Sequence, residues 1–263
     1  MKHIFLIAGI LLLTSCSKVI DVNLNDAPVQ IVIDGEVNNL PGPYTVKISK
    51  SVNYTADNNF PSVAGAIVVI SSDGITDTLN EFSPGTYTTH LIQGMPGSNY
   101  ALFVLAEGQT YTASSTMPDA VGLDSIGFTT AARNDHNLNA VVYFQDPPGI
   151  SNYYRFIEYN NGKPMTNGRG NYVFDDRLSD GRYVGETLFN DSSNFKIGDT
   201  VSINMKCVNE DVYNFWFQFD QISGNGRSGF SAPTPANPVS NITGGALGYF
   251  SANTSQTKSV VIN

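Results

Sequence analysis

Basic side chains are scarce in this sequence: 14 Lys and Arg stand against 23 Asp and Glu, a formal net charge of −9. Such a surface repels phosphate backbones, which argues against nucleic acid as a partner. Histidine and cysteine are scarcer, with three and two in 263 residues. His3 and Cys16 belong to the N-terminal segment, so His90, His136 and Cys207 are all that the remainder offers. That set is too small for a three-ligand zinc site or a Cys–His nucleophilic pair without unusual support. No G-x-S-x-G elbow, H-E-x-x-H or phosphate-binding glycine loop is present. Long helix-forming stretches are few, and charged residues make up only 14%. After the N-terminus no apolar run is long enough to cross a membrane, for which roughly 20 residues are needed.

The N-terminus carries an address. Lys2 and His3 form a short positive head, residues 4 to 13 are apolar, and Thr14 and Ser15 lead to Cys16. This is the order of a secretory signal. Leu13-Thr14-Ser15-Cys16 resembles the lipobox of bacterial lipoproteins, whose cysteine thiol is diacylated before the signal is cut in front of it. Each buried acyl methylene adds roughly 0.8 kcal/mol to membrane retention, so several chains hold firmly. Residues 1–15 are thus expected to be a signal peptide, Cys16 a lipidation site contacting outer-membrane lipid, and 16–29 a polar tether. Removing 15 of the 263 residues leaves 248, and losing Lys2 takes the charge from −9 to −10. Cys207, in T-V-S-I-N-M-K-C-V, shares a strand face with Val201, Ile203 and Met205, which predicts a packed thiol.

Alternation begins at residue 30. Q-I-V-I-D-G-E-V, Y-T-V-K-I-S-K-S-V, A-I-V-V-I-S-S, I-T-D-T-L-N-E-F, G-T-Y-T-T-H-L, N-Y-A-L-F-V-L-A and Q-T-Y-T-A-S-S-T-M follow one another at sandwich-like spacing. Pro41-Gly42-Pro43, Ser72-Asp73-Gly74, Ser83-Pro84-Gly85 and Met95-Pro96-Gly97 supply the turns. Seven strands so punctuated predict an immunoglobulin-like or carboxypeptidase-regulatory-like β-sandwich over 30–118. The pattern restarts after Pro118, predicting a second sandwich over 119–263. Its one helix is expected near 210–222, where Val212, Phe215, Trp216, Phe219 and Ile222 recur at helical spacing behind acidic residues, with Gly224 as the stop. G-A-L-G-Y-F-S-A-N and T-K-S-V-V-I-N read as a closing hairpin in the second sheet. The fold class is all-β.

Few residues are candidates for chemistry. Asp175, Asp176 and Asp180 could offer oxygens to calcium, but Arg177 and Arg182 lie among them and favour a salt-bridged loop. A distant carboxylate pair for glycoside hydrolysis leaves no local mark. His90, in T-T-H-L, reads as a half-exposed strand residue. On the helix, Phe217 and Tyr213 flank the apolar stripe and are candidate ligand or partner contacts. So are Arg169, in the loop at 162 to 170, and Arg227 and Phe230, in the loop at 223 to 230. Asp77-Thr78-Leu79 and Asp124-Ser125-Ile126 resemble acceptor motifs for O-glycosylation.

Several phrases, taken in order, are similar to a family of outer-membrane lipoproteins from the Bacteroidota, domain-of-unknown-function family 4249. They are C-S-K-V-I-D-V at 16 to 22, G-P-Y-T-V-K-I-S-K at 42 to 50, G-A-I-V-V-I-S-S-D-G at 65 to 74, S-P-G-T-Y-T-T at 83 to 89, G-Q-T-Y-T-A-S-S-T-M-P at 108 to 118, and N-P-V-S-N-I-T-G-G-A-L-G-Y-F at 237 to 250. The resemblance implies an outer-membrane location and a neighbouring TonB-dependent receptor of the SusC kind. It assigns no catalytic residue and no cofactor. Cys16 is followed by Ser17-Lys18-Val19-Ile20-Asp21 rather than an acidic run, which leaves open the face of the membrane that the body occupies. The expected function is that of a non-enzymatic accessory or ligand-presenting subunit of such a receptor. The alternative is a free-standing glycan- or peptide-binding adhesin.

Overall fold

In a strand, side chains alternate between two faces, so apolar residues at every second position produce a wall that must be covered. The structure, a computed structural model, describes residues 28–53, 57, 59–131, 134–165, 171–189, 195–223 and 237–263, without the side chains of 131, 134–137 and 171. It is all-β with one helix among the described residues. The strands are β1 Ile31–Asn38, β2 Thr45–Lys50, β3 Ile67–Ser72, β4 Ile75–Thr78, β5 Asn80–Ser83, β6 Thr86–Thr88, β7 Asn99–Ala106 and β8 Gln109–Thr116. After Pro118 come β9 Leu123–Ala131, β10 Asn134–Gln145, β11 Tyr153–Asn160, β12 Lys163–Pro164, β13 Asn171–Asp175, β14 Tyr183–Leu188 and β15 Thr200–Val208. Helix α1, Glu210–Ser223, and β16, Leu247–Val261, complete the order.

Two sandwiches result. In the first, β1, β2, β6 and β5 form one layer, and β4, β3, β7 and β8 form the other. Ile33, Val46, Ile48 and Tyr87 meet Val68, Ile70, Leu102 and Val104 between them. The stretch I-T-D-T-L-N-E-F, expected as one strand, is two. Leu79 turns inward, its amide bonds to the Val68 carbonyl, and the chain crosses from one layer to the other. Asp73 and Gly74 take positive φ at 49° and 79°, as the tight turn between β3 and β4 requires. In the second sandwich, β14, β10 and β9 face β11 and β15, and Phe144, Tyr154, Phe156, Ile203 and Met205 fill the space between. Cys207 is buried there, and burial raises its thiol pKa above the ordinary range.

The C-terminus differs from the expected hairpin. Residues 247–261 form a single 15-residue strand that serves both sandwiches. Leu247 to Asn253 pair parallel with β1, and Thr254 to Val261 pair antiparallel with β15. This joins layers of the two sandwiches into one nine-stranded sheet. Phe250 and Ala252 lie in the first core, whereas Val260 and Ile262 pack in the second. Gly248, opposite Ile33, has φ +93°, and a Cβ there would lie 2.0 Å from the Ile33 carbonyl oxygen. Only glycine allows the parallel strands to approach so closely.

The seam is reinforced by side chains. Lys206 on β15 places its ammonium 2.6 and 2.7 Å from the two carboxylate oxygens of Glu36 on β1. Burial opposes the charge on Glu36, but the Lys206 ammonium outweighs it and holds the carboxyl below its ordinary pKa. The Ser115 hydroxyl on β8 accepts from the Ala252 amide and the Asn209 side chain, at 2.8 and 3.0 Å. In the connector after Pro118, the Val121 amide donates to the Cys207 sulfur at 3.4 Å, and the Val121 carbonyl accepts from Gln256.

Candidate functional site

Helix α1 begins where its orphan amides find partners. The Asn209 side-chain oxygen accepts from the Val212 amide at 3.1 Å, and Glu210 and Asp211 sit in the first turn, where the helix dipole favours negative charge. The helix lies against outward residues of β11, β13 and β16. Val212, Tyr213, Phe215 and Trp216 pack on Tyr153, Val173, Val208 and Tyr249. The Arg155 guanidinium stands 3.6 Å from the centre of the Trp216 ring, a cation–π contact worth about 1–2 kcal/mol when desolvated. The expected apolar stripe therefore covers the sheet over its first half. Phe219 and Ile222 are exposed, because this buried cluster ends at Trp216.

On the other flank the aromatic rings form a ladder. Tyr153 and Tyr213 have ring centres 5.2 Å apart, and Tyr213 and Phe217 are stacked at 5.9 Å with 20° between their planes. Tyr213 is only 7% exposed, so it is a support rather than a contact, whereas Phe217 is 45% exposed. The Tyr213 hydroxyl donates to Asp175 at 2.6 Å. Arg177 donates to the same carboxylate from Nε and Nη2, at 2.8 and 2.9 Å. The Arg177 hydrogen bonds hold the Asp175 carboxyl below its usual range, while burial, and next Asp175, push the Tyr213 phenol up to about 12. Phe217 thus stands on a braced pedestal. Leu178, next in the turn after Arg177, is 91% exposed.

The acidic residues divide differently from the expected trio. Alternation along β13 sends Asp175 outward to Tyr213 and Arg177, and Asp176 to the opposite side. Asp176 and Asp180 meet Asp146, from the loop after β10, with one oxygen of each within 4.8 Å of the others. Asp146 accepts from the Tyr154 hydroxyl and the Gly181 amide, Asp176 from the Asn152 amide, and Asp180 from the Gly149 amide. Burial, then Asp146 and Asp180, raises the Asp176 pKa. Three carboxylates in this array could contribute to a hard-cation site, which needs six to eight oxygens for calcium. Their existing donors already give them a structural task, joining the loop at 146–152 to the turn at 176–182. Asp146 was missed in the sequence because it stands 30 residues upstream. Arg155, under Trp216, was missed because an arginine inside a strand carries no local mark of its partner.

His90 follows β6 instead of lying in it. Its Nδ1 is 2.9 Å from Asp77, a buried carboxylate that also accepts the amides of His90, Leu91 and Ile92. Burial opposes that charge, but the amides outweigh it and hold Asp77 below its ordinary pKa. Asp77 is thus committed to holding this loop, while Thr78 and Ser125 of the two O-glycosylation-like motifs are exposed. Cys16, Arg169, Arg227, Phe230 and Gly224 lie outside the described residues, as does the side chain of His136. Among the described residues no helix is long and apolar enough to cross a membrane.

Fold and site together define a protein of two β-sandwiches sharing one strand, with a helix that presents a braced aromatic side chain. The family model described as "Domain of unknown function (DUF4249)" matches residues 17–259, and the chain belongs to that family. No curated protein matches it.

Proposed function

We propose that this protein is a non-enzymatic outer-membrane lipoprotein, held by acyl chains on Cys16, that serves a TonB-dependent nutrient-uptake receptor by contacting its barrel or presenting its ligand. The observation that carries the contact is Phe217, 45% exposed at the open end of the Tyr153–Tyr213–Phe217 ladder. Exposed aromatic anchors on rigid supports dominate binding energy because little freedom is lost when they are covered. The L-T-S-C order at residues 13 to 16 supports the anchor.

Pull-down of the full chain from detergent-solubilised membranes is expected to bring a receptor barrel with it. Phe217→Ala should lose that partner while changing fold stability by less than about 1 kcal/mol, since the side chain is half open to solvent. A chain that migrates alone in every growth condition would contradict the reading. The same exposed ring favours the glycan- or peptide-binding adhesin as second reading. A glycan-array signal that disappears with Phe217→Ala, with no barrel in the pull-down, would move the assignment there.

A further inference from the structure

The outer face of the sheet β4, β3, β7 and β8 is apolar at its centre and uncharged. Ile67, Val69, Phe103 and Leu105 point outward at its centre, with Ile67 51% and Phe103 38% exposed. Threonine, serine, asparagine and alanine fill the other outward positions. Among the described residues of these four strands, no outward position carries a charge, in a chain of net charge −9.

We propose that this face is the contact between two copies of the chain. Charge is the first reason for this pairing. Two copies of net charge −9 repel at long range, and meeting through a face with no outward charge adds no like-charge contact to that repulsion. The second is relief. The cross-strand register gives a high row, Val69–Phe103–Thr112, beside a low row, Ser71–Ala101–Ser114. A two-fold axis between these rows seats the high row of each copy on the low row of the other, which is the self-complementarity an isologous interface needs. The third is size. Strands of four, six, eight and eight residues spaced about 4.8 Å apart give a face of roughly 400 Å², so a pair buries about 800 Å², the scale of a weak, transient association. The dimer is therefore weak, and salt strengthens it by screening the acidic remainder.

Light scattering on the full chain in a neutral detergent tests this. The mass per particle is expected to shift from one chain toward two as concentration rises, and more so when salt is raised from about 0.05 to about 0.5 M. Phe103→Glu should weaken the dimer by about tenfold or more at unchanged circular dichroism. An equimolar mixture of the Phe103→Glu and Phe103→Lys chains should restore it, which separates contact from folding. A mass of one chain at every salt and concentration overturns the proposal, as does a dimer indifferent to Phe103→Glu. If the chain stays single and is instead retained by a neutral polysaccharide in a way that Phe103→Glu abolishes, the face belongs to a glycan and the proposal fails.

Discussion

The two sandwiches use one strand in opposite ways. The second takes Thr254 to Val261 as an antiparallel neighbour of β15, and all of its core comes from residues 121 to 262. The first takes Leu247 to Asn253 as a parallel neighbour of β1, and fills its core with Phe250 and Ala252 from the far end of the chain. The first sandwich therefore depends on a segment that arrives only after the second has been traversed. Their outer faces contrast as well. Around Tyr153 and Val173 the second is covered by α1, while the outward Ile67 and Phe103 of the first are bare. A sheet with apolar residues on both faces needs two covers, and only the second sandwich carries its own in this region.

Substitutions along the shared strand and across the seam beside it should expose this asymmetry. The largest effect is expected at Gly248, where an added methyl meets the Ile33 carbonyl at 2.0 Å and the backbone φ is +93°. Gly248→Ala should destabilise by about 3 kcal/mol or more, combining left-handed strain with overpacking, read as a lower urea midpoint. Lys206→Met comes next, leaving the partly buried Glu36 carboxylate without its cation, at about 1–3 kcal/mol near neutral pH. Because the folded pKa of Glu36 is depressed, its contribution is complete above the unfolded carboxylate value and disappears as pH falls through the folded one. Denaturation followed over that acid range should show a shallower loss in the variant. Val261→Ala, at a 49% exposed position near the end of the antiparallel half, should shift the midpoint least, by under about 0.5 kcal/mol.

Much of this architecture is legible in the alternation of single strands and in turn residues such as Asp73-Gly74. Helix α1 was legible to within a residue, because Val212, Phe215 and Trp216 repeat at its period. The C-terminal strand was not. Ser251, Asn253, Thr254 and Ser255 are buried polar residues, so the period of two is hidden, and Gly248 imitates a turn where it in fact admits β1. Parallel pairing across more than 200 residues leaves no local trace. The same holds for the site. Phe217 could be read from a helical wheel, but the burial of Tyr213 required knowing that Tyr153 and Asp175 stand beside it.

Calorimetry of the full chain tests most directly the claim that the shared strand makes the sandwiches one unit. A single heat-absorption peak, with equal calorimetric and van't Hoff enthalpies, is the predicted result. Two separable peaks, with Gly248→Ala lowering only one of them, would contradict it.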